Sequence, residues 1–205
     1  MSSHSDGSGE VEETREIVRR ARADAPGGFR ELYERIAPSL LAWSRIRMGK
    51  GGAVEGDPED LLQEVWLRAL EEFPRYDVQR SSFRAWIFGI AKNVLYETWR
   101  QGGRRVELAR SLENSDALAA WPDVRTSIRT RLSRDEAVEN LLKRAEGFDP
   151  LDRKLLLHCG FEDQSCALAA RRMGIGAEAA SKRWQRLRER LAEREFGALL
   201  ELRGD

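Results

Sequence analysis

The amino-acid sequence predicts an all-α protein of two small helical domains joined by a flexible linker. Apolar residues recur at the spacing of three and four that places them on one helix face, and the alternation typical of a half-buried strand is absent. This periodicity is lost between residues 106 and 133 and then returns. The pattern predicts a disordered tail at 1–9, a first domain at 10–105, the linker at 106–133 and a second domain at 134–205.

The first domain is predicted to begin with two helices. The first covers residues 12–23 and is broken by Gly27 and Gly28, because glycine loses much backbone freedom in a helix. The second covers residues 29–48. Residues 49–56, which are rich in glycine, predict a loop after it.

An acidic amphipathic helix follows this loop. Asp57 can act as its N-cap, Pro58 suits the first helical position, and Pro74 ends it. Seven acids and one base give residues 55–72 a net charge of −6. The apolar stripe that we expect to be buried comprises Leu61, Leu62, Val65, Ala69, Leu70 and Phe73. A different face carries Asp60, Gln63, Glu64 and Leu67.

A basic helix comes next, beginning at Ser81 or Ser82. Seven bases and two acids give residues 75–105 a net charge of +5. Its expected core stripe comprises Ile87, Ile90, Ala91, Val94 and Leu95. Aromatic residues lie among the bases, and this combination suits unpaired DNA, whose bases stack on flat rings while its phosphates bind cations. For Trp86 and Trp99 a place in the core is the alternative.

These two helices carry a family resemblance. The motifs are DPEDLLQE at residues 57–64, SFRAWI at 82–87 and IAKN at 90–93. Together they resemble the promoter-melting domain of bacterial extracytoplasmic-function (ECF) sigma factors. The resemblance implies that the acidic helix docks on the clamp coiled coil of the largest subunit of RNA polymerase. It also implies that the basic helix and the loop before it open the minus-ten promoter element and hold its exposed bases.

The resemblance assigns roles to particular side chains. The polymerase-binding residues would be Asp60, Gln63, Glu64 and Leu67. The minus-ten DNA contacts would be Arg80, Arg84, Trp86, Lys92, Asn93 and Arg100. The loop at 75–81 would form the pocket for a base pulled out of the minus-ten stack.

The second domain is predicted to end in a helix-turn-helix. Helices are expected at 134–147 and from Asp149 onward, followed by a turn at 162–165. Ser165 can cap a helix that runs to Met173, a glycine turn follows at 174–176, and the last helix covers 177–195.

The last helix is a candidate recognition helix for the DNA major groove. Residues 171–194 contain eight bases and three acids, a net charge of +5. Residues 148–191 resemble the sigma-factor domain that binds the minus-thirty-five element, and the implied DNA contacts are Ser181, Lys182, Gln185, Arg186 and Arg188. The stretch at 166–169, Ala180 and Ser181 depart from the usual family residues. A structural bundle that does not bind DNA is therefore the alternative for this domain.

Composition excludes several other classes. No apolar run approaches the ~20 residues of a membrane span, and the first ten residues are too polar for a signal peptide, so we expect a cytoplasmic protein without membrane insertion. Two cysteines are too few for a disulfide scaffold. His158, Cys159 and Cys166 do not have metal-site spacing, and buried thiols are the better interpretation. We expect no metal, no cofactor and no enzymatic activity.

The sequence is thus identified as a member of the ECF sigma-factor family. The implied partners are core RNA polymerase and promoter DNA, and an anti-sigma factor is a further partner that the family allows. Two alternatives remain. One is a helix-turn-helix regulator that acts without polymerase, and the other is a degenerate sigma-like protein that only binds other proteins.

Overall fold

The computed structural model describes residues 6–23, 25–48, 56–100, 136–191, 194–197 and 199–200. Within these ranges every regular element is a helix, which confirms the all-α prediction. The helices are α1 (Asp6–Ala23), α2 (Ala25–Met48), α3 (Pro58–Glu72), α4 (Phe83–Arg100), α5 (Glu136–Glu146), α6 (Pro150–Leu155), α7 (Cys166–Met173), α8 (Ala177–Leu191) and α9 (Arg194–Gly197). A 3₁₀ turn (Phe73–Arg75) follows α3, and a π-helical segment (Leu156–Phe161) continues α6.

Three predicted segments lie largely outside the described residues. They are the first half of the tail, most of the loop at 49–56 and the whole linker at 106–133. The helix α1 begins at Asp6, earlier than expected and inside the predicted tail. The division into two domains stays a prediction.

Helix starts agree with the predicted capping residues. The Asp57 carboxylate accepts a hydrogen bond from the Glu59 amide at 2.8 Å, and Ser82 Oγ accepts one from the Ala85 amide at 3.1 Å. Later in the chain, Ser165 Oγ accepts a hydrogen bond from the Leu168 amide at 3.3 Å. Each cap satisfies an amide that has no partner inside its helix.

The predicted break at Gly27 and Gly28 is wrong, because α2 already begins at Ala25. Gly28 instead lies where α1 and α2 touch, and a methyl group on it would overlap the backbone of Ala21. The glycine therefore permits a close helix crossing and does not end a helix.

One apolar core includes residues of both predicted domains. Helix α2 is central to it, packing against α1, α3, α5 and the π-helical segment, and its Leu40 and Trp43 are completely buried. We call α1–α4 the front helices and α5–α9 the rear helices. The surface where they meet includes two of the candidate functional residues of α4, Arg84 and Lys92.

Within the described ranges, no helix has both the length and the apolar content that crossing a bilayer requires.

Candidate nucleic-acid interface

The loop before α4 is held by Tyr76. Its amide donates a hydrogen bond to the Phe73 carbonyl at 3.1 Å, and its hydroxyl donates one to the Ser81 carbonyl at 2.9 Å. Burial of the ring raises the pKa of Tyr76 to about 12, so the hydroxyl stays protonated and can donate. Arg75 and Arg80 project from this anchored loop and are exposed.

Trp86 belongs to an aromatic cluster beneath this loop. Its ring centroid lies 4.8 Å from that of Tyr76 and 5.4 Å from that of Phe83, and its side chain is half-buried. Most of the ring therefore packs against the protein. Base stacking by Trp86 stays a prediction. The structure also gives this residue a packing role, because its ring contacts Tyr76 and Phe83.

The exposed aromatic residues of α4 lie at its other end. Tyr96 and Trp99 are 56% and 55% exposed, and their ring centroids are 5.8 Å apart. The Arg100 guanidinium lies 5.9 Å from the Tyr96 ring centroid. Sequence reasoning missed Tyr96 and did not decide whether Trp99 lies in the core or on the surface, because the helical stripe alone does not show where the core ends. Asn93, a predicted DNA contact, is also exposed near this end.

Arg84 is buried, contrary to the exposed position that a DNA contact requires. Only 7% of it is exposed. Its Nε donates to the Phe161 carbonyl at 3.0 Å, and its Nη2 donates to the Leu199 carbonyl at 2.5 Å. Both carbonyls belong to the rear half of the chain. The periodicity of α4 could not predict this, because the acceptors are more than 70 residues away.

Glu162 connects the front and rear helices. Its side chain has no solvent exposure. Its carboxylate oxygens contact Trp43 Nε1 at 3.0 Å, Arg47 Nη2 at 2.6 Å, Lys92 Nζ at 3.3 Å, His158 Nδ1 at 3.2 Å and Gln164 Nε2 at 2.6 Å. Lys92, a predicted DNA contact, is therefore half-buried and paired with a carboxylate.

The surroundings of Glu162 favour its charged form. Burial raises the pKa of Glu162, but the hydrogen bond with His158 and the charges of Lys92 and Arg47 outweigh burial. The net effect holds the pKa far below the ordinary glutamate value. Glu162 is therefore ionised at neutral pH, although it is buried.

Further contacts flank Glu162. Ser82 Oγ donates a hydrogen bond to Asp163 Oδ2 at 2.9 Å, and Asp163 has the left-handed backbone conformation (φ 52°) that is unusual for residues other than glycine. Elsewhere on α2, Arg45 pairs with Glu139 of α5 at 2.5 Å. The sequence does not predict the contacts of Glu162 and Asp163, since 162–165 is expected to be an ordinary turn.

The acidic helix α3 exposes less of its predicted docking face than expected. Asp60 is exposed and Gln63 is half-buried, whereas Glu64 and Leu67, which the family resemblance also assigns to polymerase binding, are buried. Arg68 binds Glu64 at 2.6 Å and Glu97 of α4 at 2.7 Å, and so ties the Glu64 carboxylate to the neighbouring helix. The hydrogen bond with Glu97 contributes most to raising the pKa of Arg68.

Helices α7 and α8 are joined by the tight turn that was predicted. Gly174 adopts a left-handed conformation (φ 69°), and Ala180, Trp184, Leu187 and Leu191 form the buried stripe of α8. Arg183 binds Asp149 and Asp152, which fixes α8 against α6.

The predicted DNA-contacting side chains of α8 lie mostly on its outer surface. Ser181, Lys182, Gln185 and Arg186 are exposed, whereas Arg188 is half-buried. Lys182 pairs with Glu178 at 2.6 Å, and both of these side chains are largely exposed. The arrangement leaves a basic outer surface on α8, and DNA binding by this surface stays a prediction.

The two cysteines are buried, with Sγ atoms 3.9 Å apart. Among the described residues, no group of three or more His, Cys, Asp or Glu side chains is arranged to hold a metal ion.

Comparison with known proteins gives a family match within the front half of the chain and relatives aligned over about half of its length. The family model Sigma-70 region 2 matches residues 32–105, which include α3, α4 and most of α2. The ECF RNA polymerase sigma factor SigD of Mycobacterium tuberculosis is 30% identical over 108 residues, covering 52% of this chain and 51% of that protein. The ECF RNA polymerase sigma factor BldN of Streptomyces coelicolor is 29% identical over 93 residues, covering 45% of this chain and 34% of that protein.

The alignments thus span between a third and a half of the length of these relatives. No solved structure matches the chain significantly. The family match and the named relatives agree with the acidic and basic helices that the structure places side by side in α3 and α4. Residues 32–105 of the chain thus match sigma-70 region 2, and the chain is similar to sigma factors of the ECF type.

Proposed function

We propose that this chain is a sigma factor that binds core RNA polymerase, brings it to a promoter and helps to open the minus-ten element. The observation that carries the proposal is the sigma-70 region 2 match, which coincides with an acidic helix packed beside a basic, aromatic one. The catalytic chemistry of transcription would belong to the polymerase, so no cofactor or catalytic residue is assigned. Transcription would place the chain in the cytoplasm.

Polymerase docking is assigned to the exposed N-terminal part of α3. Asp60 carries a carboxylate on this surface, and Gln63 lies one turn further along the same face. Charged surface groups of this kind guide and orient protein association. Because Glu64 and Leu67 are buried, their support for docking would be indirect, through the position of the helix.

Binding of unpaired promoter bases is assigned to the C-terminal end of α4. Tyr96 and Trp99 offer exposed ring faces, and Arg100 offers a positive charge beside them. Stacking on aromatic side chains contributes about 1–3 kcal/mol per base and does not depend strongly on base identity. The end of α4 would therefore hold a melted strand, and Asn93 would contact its backbone or base edges.

The rear helices would contact the upstream promoter element through α8. Lys182 and Arg186 are exposed on its outer surface, where they can reach phosphates. The neighbouring Glu178 neutralises part of this charge, which favours modest affinity for DNA. A reduced positive charge is also what we would expect of the alternative, a sigma-like protein that only binds other proteins.

Run-off transcription with purified core polymerase tests the proposal. Promoter DNA is first selected from a random pool with the reconstituted holoenzyme. On this DNA, the full chain together with core polymerase should direct initiation. A protein that only binds DNA, or only binds proteins, would give no transcript. Failure to assemble with core polymerase would contradict the proposal at its first step.

The docking surface is tested with a matched pair of charge reversals. Asp60→Arg should weaken core binding in a pull-down, because it reverses charge on the assigned face. Glu72→Arg makes the same change at an exposed position on a different face of α3 and should bind normally. Equal defects in both variants would show that overall charge, and not the assigned face, controls assembly.

A further inference from the structure

We infer that Arg68 of α3 is a positioning residue for the DNA-holding end of α4, where it keeps the carboxylate of Glu97 from pairing with Arg100. The inference rests on the proposed function, since this end of α4 is the part assigned to unpaired promoter bases. It adds a residue of the acidic helix to the groups that determine how strongly this surface binds DNA.

The position of Glu97 on α4 creates the need for such a residue. Glu97 comes four residues after Asn93 and three before Arg100, so it lies on the same side of the helix as these two predicted DNA contacts. A carboxylate at this place repels the phosphates of a nearby strand. It can also pair with Arg100 at the spacing of three residues and so neutralise the positive charge of that guanidinium.

The structure directs Glu97 toward Arg68. The Nη2 atom of Arg68 lies 2.7 Å from Oε2 of Glu97, across the contact between α3 and α4. Within the described residues, Arg68 is the cation with which Glu97 pairs, whereas the Arg100 guanidinium lies 5.9 Å from the Tyr96 ring centroid. Arg100 therefore stays beside the exposed aromatic pair and keeps its positive charge for a phosphate.

Arg68 is itself held in place by Glu64. Its Nε atom lies 2.6 Å from Oε1 of Glu64, four residues earlier on α3, so the guanidinium contacts two carboxylates through different nitrogen atoms. A planar guanidinium binds such partners in a fixed direction, whereas the ammonium group of lysine acts as a point charge. Glu64 therefore orients Arg68, and Arg68 orients Glu97.

Removal of Arg68 would release Glu97 more than Glu64. The Glu97 side chain is 48% exposed, whereas that of Glu64 is 10% exposed. Without the guanidinium that binds both, the two carboxylates repel each other. Glu97 then has a cationic partner within reach in Arg100, three residues further along α4. Loss of Arg68 should therefore weaken DNA binding even though the inference gives Arg68 no contact with DNA.

A double-mutant cycle tests the inference with the full chain and a fluorescent, mixed-sequence single-stranded DNA of about 15 nucleotides. Arg68→Gln should bind roughly three- to fivefold more weakly than the unmodified chain, because Glu97 then competes for Arg100. Glu97→Gln alone should change the affinity by less than about twofold, since Arg68 already neutralises that carboxylate. In the Arg68→Gln background, Glu97→Gln should restore most of the lost affinity.

The salt dependence of binding gives a second measurement, which a loss of stability alone would not change in this way. If Glu97 neutralises Arg100, the log–log slope against salt should become shallower by about 0.7 in Arg68→Gln, the value for one phosphate of a single strand. Addition of Glu97→Gln should return the slope to that of the unmodified chain.

Arg30→Gln on α2 is the matched control. Arg30 is exposed and also pairs with a glutamate four residues away, Glu34, so the substitution frees a carboxylate in the same manner. Its neighbour Phe29 packs against Phe73, which precedes the opposite end of α4. The affinity and the salt slope of this variant should therefore stay close to those of the unmodified chain.

Urea unfolding checks the stability of each variant, because Arg68→Gln leaves the buried carboxylate of Glu64 without its cation. Should Arg68→Gln fail to fold, a variant that combines it with Glu64→Gln decides the matter. This combination removes the buried charge as well and still releases Glu97. It should bind DNA weakly, and addition of Glu97→Gln should restore the binding.

The outcomes separate this inference from the proposed function. The positioning role is wrong if folded Arg68→Gln binds DNA as well as Arg30→Gln, or if Glu97→Gln raises the affinity equally with and without Arg68. Either result leaves the sigma function to stand on run-off transcription by the unmodified chain. If no holoenzyme forms but the two substitutions are coupled as described, the positioning role stands and the polymerase role is wrong. An unmodified chain that binds no single-stranded DNA contradicts the assignment of this end of α4, and the inference with it.

Discussion

The exposed pair at the end of α4 gives the sharpest test of DNA binding. Trp99 is 55% exposed and touches Tyr96, whereas Trp86 is packed among the aromatic rings under the preceding loop. Replacing either residue with alanine removes an indole from the same helix. The two substitutions should nevertheless damage different properties of the protein.

The expected magnitudes follow from these environments. Trp99→Ala removes one stacking surface worth about 1–3 kcal/mol, which corresponds to roughly five- to 150-fold weaker binding of single-stranded DNA. Its effect on the free energy of unfolding should stay within about 0.5 kcal/mol, because the side chain is largely in solvent. Trp86→Ala leaves a partly filled gap beside Tyr76 and Phe83 and should lower the free energy of unfolding by about 2 kcal/mol or more.

Fluorescence anisotropy with labelled single-stranded DNA measures the binding, and urea unfolding measures the stability. Trp99→Phe keeps an aromatic face and should retain most of the affinity that Trp99→Ala loses. The assignment would be refuted if Trp99→Ala bound normally, or if Trp86→Ala lost affinity at full stability. In the second case Trp86, as the family resemblance implies, would be the stacking residue.

Three further predictions concern charge and packing. Lys182→Ala should make the salt dependence of mixed-sequence duplex binding shallower by about one unit in the log–log slope, whereas Lys154→Ala on α6 should leave it unchanged. In urea unfolding, Gly28→Ala should lower the free energy of unfolding by about 1–3 kcal/mol, while Gly89→Ala, where a methyl group meets open space, should raise it by about 0.5–1 kcal/mol. The depressed pKa of Glu162 means that its contribution to stability is present at neutral pH and is lost progressively as the pH falls from about 4.5, the ordinary glutamate value in the unfolded chain, toward the lower pKa of the folded state. Urea midpoints of Glu162→Gln should therefore lie below those of the unmodified chain at neutral pH and approach them in acid.

Most helix positions could be predicted because they depend on local chemistry. Asp57, Ser82 and Ser165 accept hydrogen bonds from amides only two or three residues ahead. Gly174 is required by a left-handed turn, and the stripe of α8 follows directly from its 3.6-residue period. These signals lie within a few residues of the structure that they determine.

The wrong expectations concern contacts that helix periodicity alone does not show. Glu64 lies off the apolar stripe of α3, but Arg68 binds it and also binds Glu97 of the next helix. The sequence predicts that Gly28 breaks a helix, whereas its small size permits the contact with Ala21 of the preceding helix. Periodicity shows which side chains share a face, and it does not show which other element covers that face.

The same limit applies to the basic and aromatic side chains of α4, which fall into two groups. Arg84 and Lys92 contact the rear helices, whereas Tyr96, Trp99 and Arg100 remain exposed at the far end. Because their environments differ, these groups should behave differently in binding assays.

Substitution at the exposed end should reduce single-stranded DNA binding in the free chain, because no conformational change is needed to reach it. Lys92→Ala should have little effect on that binding, since Lys92 is already occupied by Glu162. In the Glu162→Gln background, Lys92 is released, and its removal should weaken binding by several-fold. An equal effect of Lys92→Ala in both backgrounds would mean that the pairing with Glu162 does not limit the access of Lys92 to DNA.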